Sequence, residues 1–492
     1  MADIEKIHVQ HLEGVVDAES SRDGGSFVAL DPATERALVR KIDIRLIPYL
    51  SFLYLLSFLD RANIGNAKIE GLAVDLKMSD QQYLWTLTIF FFPYALFEVP
   101  SNILLKRLRP SLWIPGIILA WGTCMTLMGL VHNFQGLMIA RFFLGLAEAG
   151  LFPGCMFYLS CWYRKREFGI RAAIFFSAAT MSGAFGGLLA AGIAKLDGTA
   201  GKPGWAWIFI LEGLFTVAAG VVSFFIVPDF PDTATFLTET ERQQTIARLQ
   251  SDAQLSAGTQ EHFRFRTFWT AVTDWKAGFG MLIYMGVCGP LYAFSLFLPS
   301  IIKELGFTST KAQLLSVPPY CLGCIVTLCV GFLADRSGRR GIFNVGCSAL
   351  AIVGYTMNVI PASGPYVRYG GTFLAAAGVY PCIANTISWI SNNVEGTYRR
   401  GIIMALSISW GNINGAVSSN IYRARDAPHY TLGHAVVLGY LCCCFFGSMA
   451  FMALLKKENE RRDRGERDYL ANVGEAERVE LGDRHPSFRY TL

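Results

Sequence analysis

A helix needs about 20 predominantly apolar residues to cross the hydrocarbon core of a bilayer. The 492-residue chain supplies twelve such runs, at 44–66, 83–104, 112–131, 136–159, 171–194, 205–227, 277–302, 314–334, 342–361, 367–391, 401–422 and 432–455. Lipid cannot hydrogen-bond an exposed backbone, so runs of this kind fold as membrane-spanning helices. The expected fold class is therefore an all-α membrane protein with twelve transmembrane helices. Charge is correspondingly scarce: 16% of residues are Asp, Glu, Lys or Arg, against about 25% in a soluble domain.

Lys and Arg test the count independently, because they accumulate in cytoplasmic loops. With the N-terminus inside, about 27 lie near the inner ends of the spans and about 9 near the outer ends. Both termini are expected to be cytoplasmic, and the start MADIEKIHVQH lacks the basic and apolar regions of a secretory signal. The 12 cysteines fall almost entirely in apolar runs, with Cys442, Cys443 and Cys444 consecutive. They read as small packing residues and not as a disulfide framework. Cys321 and Cys324 have the spacing of a redox or metal motif but lie inside an apolar span without a second ligand pair, so no metal is expected. The net charge of +5 reflects loop placement and carries no nucleic-acid signal.

Charge clusters divide the chain into a cytosolic tail at 1–43, a six-helix bundle at 44–227, a cytosolic linker at 228–276, a second bundle at 277–455 and a cytosolic tail at 456–492. Within the linker, Thr238 followed by Glu241 is a capping box that predicts a short helix, and SDAQLSAGTQ reads as flexible. The bundles are repeats. Gly150, Phe152, Pro153, Glu167 and Arg171 match Gly378, Tyr380, Pro381, Glu395 and Arg399 at one constant offset of 228 residues. Two six-helix repeats with a substrate site between them are an architecture of secondary transporters.

An ionisable residue inside a membrane helix costs about 2.5 to 3.5 kcal/mol at the bilayer centre and marks function by default. Asp60 and Arg61 lie on span 1, and Arg141 and Glu148 on span 4. Arg141 and Glu148 are seven residues apart, almost two helical turns, and so share a face with Gly145 between them. Arg61 and Arg141 suit carboxylate binding, since the guanidinium fork holds a carboxylate bidentately. The four groups sum to zero charge when ionised. An incoming monoanion would leave a negative charge that one proton cancels, which makes Asp60 and Glu148 candidate proton carriers. The competing reading is a buried ion network that only locks the two spans together.

Asn385 and Asn393, on or near span 10, are further candidates for substrate binding, with interhelical bonding as the alternative. Glu212 on span 6 fits packing and function equally. The loop GFLADRSGRRG at 331–341 puts charge beside a glycine-rich turn, so Asp335 with Arg339, and Arg399 and Arg400 on the same face, form a candidate inner gate. Plain anchoring by the positive-inside rule is the other explanation. Walker A, HExxH and GxSxG motifs are absent, and Pro203 stands where the GTAGKPG stretch would need Ser or Thr to hold phosphate. Neither an enzyme nor a cofactor is expected.

The strings LYLLSFLDRANIGNAK (53–68), ARFFLGLAEAGLFPG (140–154), WIFILEG (207–213), PDFPDTATFLTETER (228–242), the 331–341 loop and SNIYRARDAPHYTLGH (419–434) resemble the fungal anion:cation symporter branch of the major facilitator superfamily. That branch includes allantoate permeases and nicotinate and pantothenate transporters. The resemblance covers about 45–455 and implies a rocker-switch fold in which spans 1, 4, 7 and 10 line a central cavity. It also implies proton coupling and carboxylate binding at Asp60, Arg61, Arg141 and Glu148. The superfamily's usual glycine-rich loop after span 2 reads PSNILLKRLRPS here, so no Asp-based gate is expected in the first half.

The resulting expectation is proton-coupled symport of a small organic anion, such as a carboxylate, ureide or vitamin like nicotinate, by a monomer in the cell membrane or the vacuolar membrane. Export of an acidic secondary metabolite is the alternative within the class. A nutrient sensor that does not transport is the alternative outside it, and retention of all four charged groups argues against that.

Overall fold

The computed structural model describes residues 31–251, 265–360, 364–427, 429–468 and 482–492. Met1–Lys41 and Ile42–Leu492 are separate units, and the membrane bundle belongs to the second. Among the described residues, ten helices are long and apolar enough to cross a membrane. Two more, Asp80–Arg107 and Thr397–Ser418, cover the remaining expected spans and carry more polar side chains, among them Glu98, Asn412 and Asn414. Among the described residues the chain is helical with no strand, as an all-α membrane protein should be.

In chain order the helices are α1 (Pro32–Ile69), α2 (Leu72–Asp75), α3 (Asp80–Arg107), α4 (Pro110–Met128), α5 (Phe134–Glu148), α6 (Leu151–Ser160), α7 (Lys165–Ile193) and α8 (Gly204–Ile226). They continue as α9 (Glu239–Ser251), α10 (Phe265–Val272), α11 (Trp275–Glu304), α12 (Ser309–Ser337), α13 (Arg340–Val359), α14 (Pro365–Asn392), α15 (Thr397–Ser418) and α16 (Thr431–Asp463). Helices α5 and α6 form one crossing, Phe134–Ser160, since Ala149 and Gly150 between them keep right-handed dihedrals.

Local sequence explains where the helices start and stop. Ser79 and Gln82 form a reciprocal capping box at α3, Asn133 caps α5, and Pro110 and Pro365 sit at the first positions of α4 and α14, where no backbone donor is missed. Gly338 ends α12 at a φ of 64°, a left-handed conformation that glycine adopts without a Cβ clash and that makes the tight turn into α13. The expected capping box at α9 is present: the Thr238 backbone N–H donates to Glu241 Oε2 at 2.8 Å, and the Glu241 N–H donates to Thr238 Oγ1 at 3.3 Å. The SDAQLSAGTQ stretch lies outside the described residues beyond its first serine.

Helices from the first six spans pack directly on helices from the last six, α7 against α12 and α14, and α3 against α15. Small residues set how close they come. A Cβ on Gly187 would fall 2.7 Å from the Gln313 carbonyl oxygen, and one on Gly145 would overlap that of Phe90. The Gly145 contact seats α5 on α3 and fixes the face that carries Arg141 and Glu148. Large apolar side chains such as Phe225, Leu96 and Phe446 are exposed on the outside of the bundle, where lipid would cover them.

Candidate functional site

Asp60, Arg61, Arg141 and Glu148 are all buried in the interior, at 0%, 4%, 2% and 0% exposure, and of the four Arg61 and Glu148 meet directly. Arg61 Nη2 meets Glu148 Oε1 at 2.5 Å, and Ser57 Oγ donates to the same oxygen at 2.5 Å. The other Glu148 oxygen, Oε2, is buried without a hydrogen bond. The Arg61 guanidinium is walled by the rings of Tyr94 at 4.7 Å, Phe58 at 5.1 Å, Phe90 at 5.2 Å and Tyr292 at 5.7 Å. Aromatic faces favour a cation and exclude water from it.

Arg141 is different. Its guanidinium lies 5.8 Å from the centre of the Phe90 ring and makes no ion pair or hydrogen bond among the described residues, and its buried Nε has no partner. Glu148 and Arg61 lie within electrostatic range. A buried, unpaired cation is costly unless something neutralises it. An anionic ligand is the species that would.

Asp60 turns away from Arg61. Its Oδ2 accepts from Trp121 Nε1 at 3.0 Å and from Thr216 Oγ1 at 2.8 Å, on α4 and α8, while Oδ1 is buried and unpartnered. Consecutive helix residues point about 100° apart, so one span presents Asp60 to one side and Arg61 to another. Glu212 is buried within electrostatic range of Asp60 and accepts from Asn63 Nδ2.

Sequence reasoning passed over Glu98 on α3. It is fully buried, and its Oε2 accepts from Asn412 Nδ2 at 3.0 Å across to α15. The signal was present, since Glu98 is an ionisable residue inside the expected 83–104 span.

Asn385 and Asn393 are not brought to the arginines. The Asn385 amide donates to the Arg340 carbonyl at 2.8 Å and to Asn344 Oδ1 at 2.7 Å. The Asn393 amide donates to Trp389 and Thr491 carbonyls, each at 3.0 Å. Their hydrogen-bonding capacity serves helix packing and the docked C-terminal segment.

The candidate gate is also repartitioned. Asp335 pairs with Arg340, not Arg339, which is exposed; the left-handed turn at Gly338 brings the residue five positions on, not four, back to the carboxylate. Gly169 of α7 packs against this pair, with no room for a Cβ beside either side chain. Arg399 pairs instead with Asp274 and with Asp483, the latter at 2.8 Å. In the first repeat Arg171, the counterpart of Arg399, grips Asp43 with two bonds of 2.7 Å. Arg399 thus ties the end of the linker and the C-terminal tail to its own bundle. Arg400 donates from Nε to the Val394 carbonyl at 3.1 Å, another local contact.

The profile of the Major Facilitator Superfamily matches residues 50–419. The chain belongs to that superfamily. It is 37% identical over 482 residues to the "MFS-type transporter cnsO" of Penicillium expansum, with 94% of this chain and 91% of the relative covered. It is 36% identical over 456 residues to the "MFS transporter prlL" of a fungal species, covering 90% and 91%. The "Major facilitator-type transporter hxnP" of Emericella nidulans is 30% identical over 477 residues, covering 95% and 96%. Among solved structures, a bacterial homologue of the human lysosomal transporter Spinster, inward-facing and unoccupied, aligns with a TM-score of 0.60 at 14% identity, over 86% of this chain and 99% of that one. The last likeness speaks to the fold alone. As a major facilitator protein the chain is an integral membrane transporter and not an enzyme.

A further anchor of this transporter lies outside the spans. Residues 482–492 dock on the ends of α11, α14, α15 and α16. Asp483, at 0% exposure, pairs with Lys276 and Arg399, the Tyr490 N–H donates to Asn459 Oδ1 at 2.9 Å, and the Thr491 N–H donates to Asn393 Oδ1 at 2.8 Å. Burial pushes the Asp483 carboxyl up, but Lys276 and Arg399 outweigh it and hold it below the ordinary carboxylate range. A group lowered in this way stabilises docking above its free pKa and loses that contribution as pH falls through the docked value. Docking should therefore be constant through neutral pH and weaken only below about pH 4. Asp483→Asn takes one of two carboxylates from Lys276 and the partly buried Arg399 and leaves them to share Asp274, at a cost of about 1.5 to 3 kcal/mol. Trypsin cleavage after Arg484 and Arg489 should accelerate more than about ten-fold; unchanged cleavage would show that Asp483 does not hold the segment.

Proposed function

We propose that the protein is a proton-coupled symporter of a small organic anion, of the fungal anion:cation symporter type. The observation that carries this reading is Arg141, buried and without a counter-ion beside the Arg61–Glu148 pair. An anion entering this site supplies the missing charge, and a carboxylate fits the guanidinium fork. Proton coupling follows from charge balance: Asp60, Glu98, Glu148 and Glu212 are buried within the first six spans, where Arg61 and Arg141 are the buried cations among the described residues, so protons on the carboxyls are the available means of keeping a dry, anion-loaded site near neutrality.

In this reading the bundles at 44–227 and 277–455 rock about the site as a monomer in the cell membrane, with both termini cytosolic. The Asp335–Arg340 pair, with α7 packed over it, closes the cytosolic side. The direction of physiological flow is set by the combined gradients and not by these residues.

The test is a panel of radiolabelled monocarboxylates, ureides and nicotinate in proteoliposomes carrying an alkaline-inside pH gradient. At least one should accumulate, and a protonophore should abolish the accumulation. Counterflow without pH-driven accumulation would make the protein a facilitator, and neither across the panel would overturn the anion reading.

A further inference from the structure

We infer that Glu98 is an additional proton-exchanging residue of the transport cycle, latched by Asn412 when the two halves close and released to water when they part. The inference rests on the alternating-access reading above but not on the identity of the substrate.

A chain of four hydrogen bonds runs through the interior. Arg61 Nη1 donates to Tyr292 Oη at 2.9 Å, Tyr292 Oη donates to Asn412 Oδ1 at 2.8 Å, and Asn412 Nδ2 donates to Glu98 Oε2 at 3.0 Å. At the other end, Arg61 Nη2 donates to Glu148 Oε1 at 2.5 Å. Each donor orientation requires the next, because Asn412 can donate to Glu98 only by turning its carbonyl oxygen toward Tyr292. Chains of this kind polarise one another.

The placement of the members gives the chain its mechanical meaning. Glu148, Arg61 and Glu98 lie on α5, α1 and α3, in the first six spans, whereas Tyr292 and Asn412 lie on α11 and α15, in the last six. The chain therefore crosses between the halves twice, at Arg61–Tyr292 and at Asn412–Glu98. A rocking motion that separates α3 from α15 must break the second crossing. Glu98 then passes from a sealed interface, at 0% exposure, to an opened one.

A carboxylate used only to tie α3 to α15 would have both oxygens satisfied, or would be a glutamine. Glu98 Oε1 is instead buried without a well-formed hydrogen bond, the nearby Ser409 hydroxyl being itself unpartnered, and the carboxyl forms no ion pair among the described residues. Buried polar atoms without a partner are rare and call for a reason. Around Glu98 stand Arg61 from α1, Tyr94 from its own helix, Tyr284 and Cys288 from α11, and Ser409 and Asn412 from α15. Arg61 is the one fixed cation among them, and it is committed to Glu148. A carboxyl that alternates between this dry setting and water changes its proton affinity with the state of the transporter, as coupling requires.

The experiment reads conformation without substrate. Spin labels at positions 109 and 337, both exposed, report the separation of the halves in purified protein from about pH 5 to about pH 9. The wild type should shift between a short and a long distance across that range. Glu98→Gln keeps an acceptor for Asn412 but cannot ionise, and should shrink the pH-driven change in the closed fraction at least about five-fold. Glu98→Asp should restore it. A wild-type distance that ignores pH, or a Glu98→Gln protein that shifts like the wild type, overturns the inference. Failure of pH-driven anion uptake would instead count against the symport reading and would leave this measurement standing.

Discussion

Arg141→Ala should abolish measurable binding of the transported anion while leaving the protein at least as stable as the wild type. Both halves of that expectation come from the same geometry. The guanidinium has no ion pair to lose, so truncation strands no carboxylate and removes a desolvated charge from the interior. A bound carboxylate would lose a charge-assisted fork worth about 3 kcal/mol, which weakens affinity about 100-fold or more. Arg61→Ala should behave differently. It strands Glu148 and breaks the link to Tyr292, so it should lower the melting temperature as well as the affinity. Scintillation-proximity binding and thermal unfolding in detergent, run on the same preparations, separate the two variants. Wild-type affinity in a folded Arg141→Ala protein would remove Arg141 from the binding site.

That contrast between the arginines was beyond the reach of the sequence, which presents Arg61 and Arg141 as equivalent intramembrane cations. What the sequence does carry is burial and periodicity. Apolar runs of about 20 residues locate the helices, and a spacing of seven puts Arg141 and Glu148 on one face. The same arithmetic applied to Asp60 and Arg61 separates them, and the structure accordingly sends Asp60 to Trp121 and Thr216. Choice of partner is a tertiary matter. Asn385 is an uncommitted amide in the sequence and is occupied by Arg340 and Asn344 in the fold, and Asp335 has Arg336, Arg339 and Arg340 within reach along the chain, of which the Gly338 turn brings back Arg340. The Asp483 anchor lies in a charged tail with no apolar period to announce it, although the Arg171–Asp43 pair of the first repeat hints that Arg399 would need a carboxylate too. Glu98 was legible and was missed, since an acid flanked by Phe97 and Val99 in a membrane span is a functional signal on its own.

Neutralising a proton carrier should separate exchange from accumulation, and Glu148→Gln is the sharper of the two variants that test this. The amide side chain keeps a carbonyl oxygen for Ser57 and Arg61, so the local bonds survive in form, but the site loses a titratable charge and Arg61 loses its counter-ion. Substrate counterflow needs no net proton movement and should persist, whereas uptake driven by a pH gradient should fall at least about ten-fold. Asp60→Asn keeps an oxygen for Trp121 and Thr216 and makes no contact with either arginine. It should therefore leave anion affinity unchanged and act on coupling alone. If Asp60 and Glu148 were only structural, their replacement would damage counterflow and thermal stability together, because a buried group would be left mispaired. Counterflow, pH-driven uptake and melting temperature measured in one series distinguish these cases. Intact accumulation in both variants would move the proton elsewhere, to Glu98 or Glu212, the remaining carboxyls among the described residues of the sealed interior.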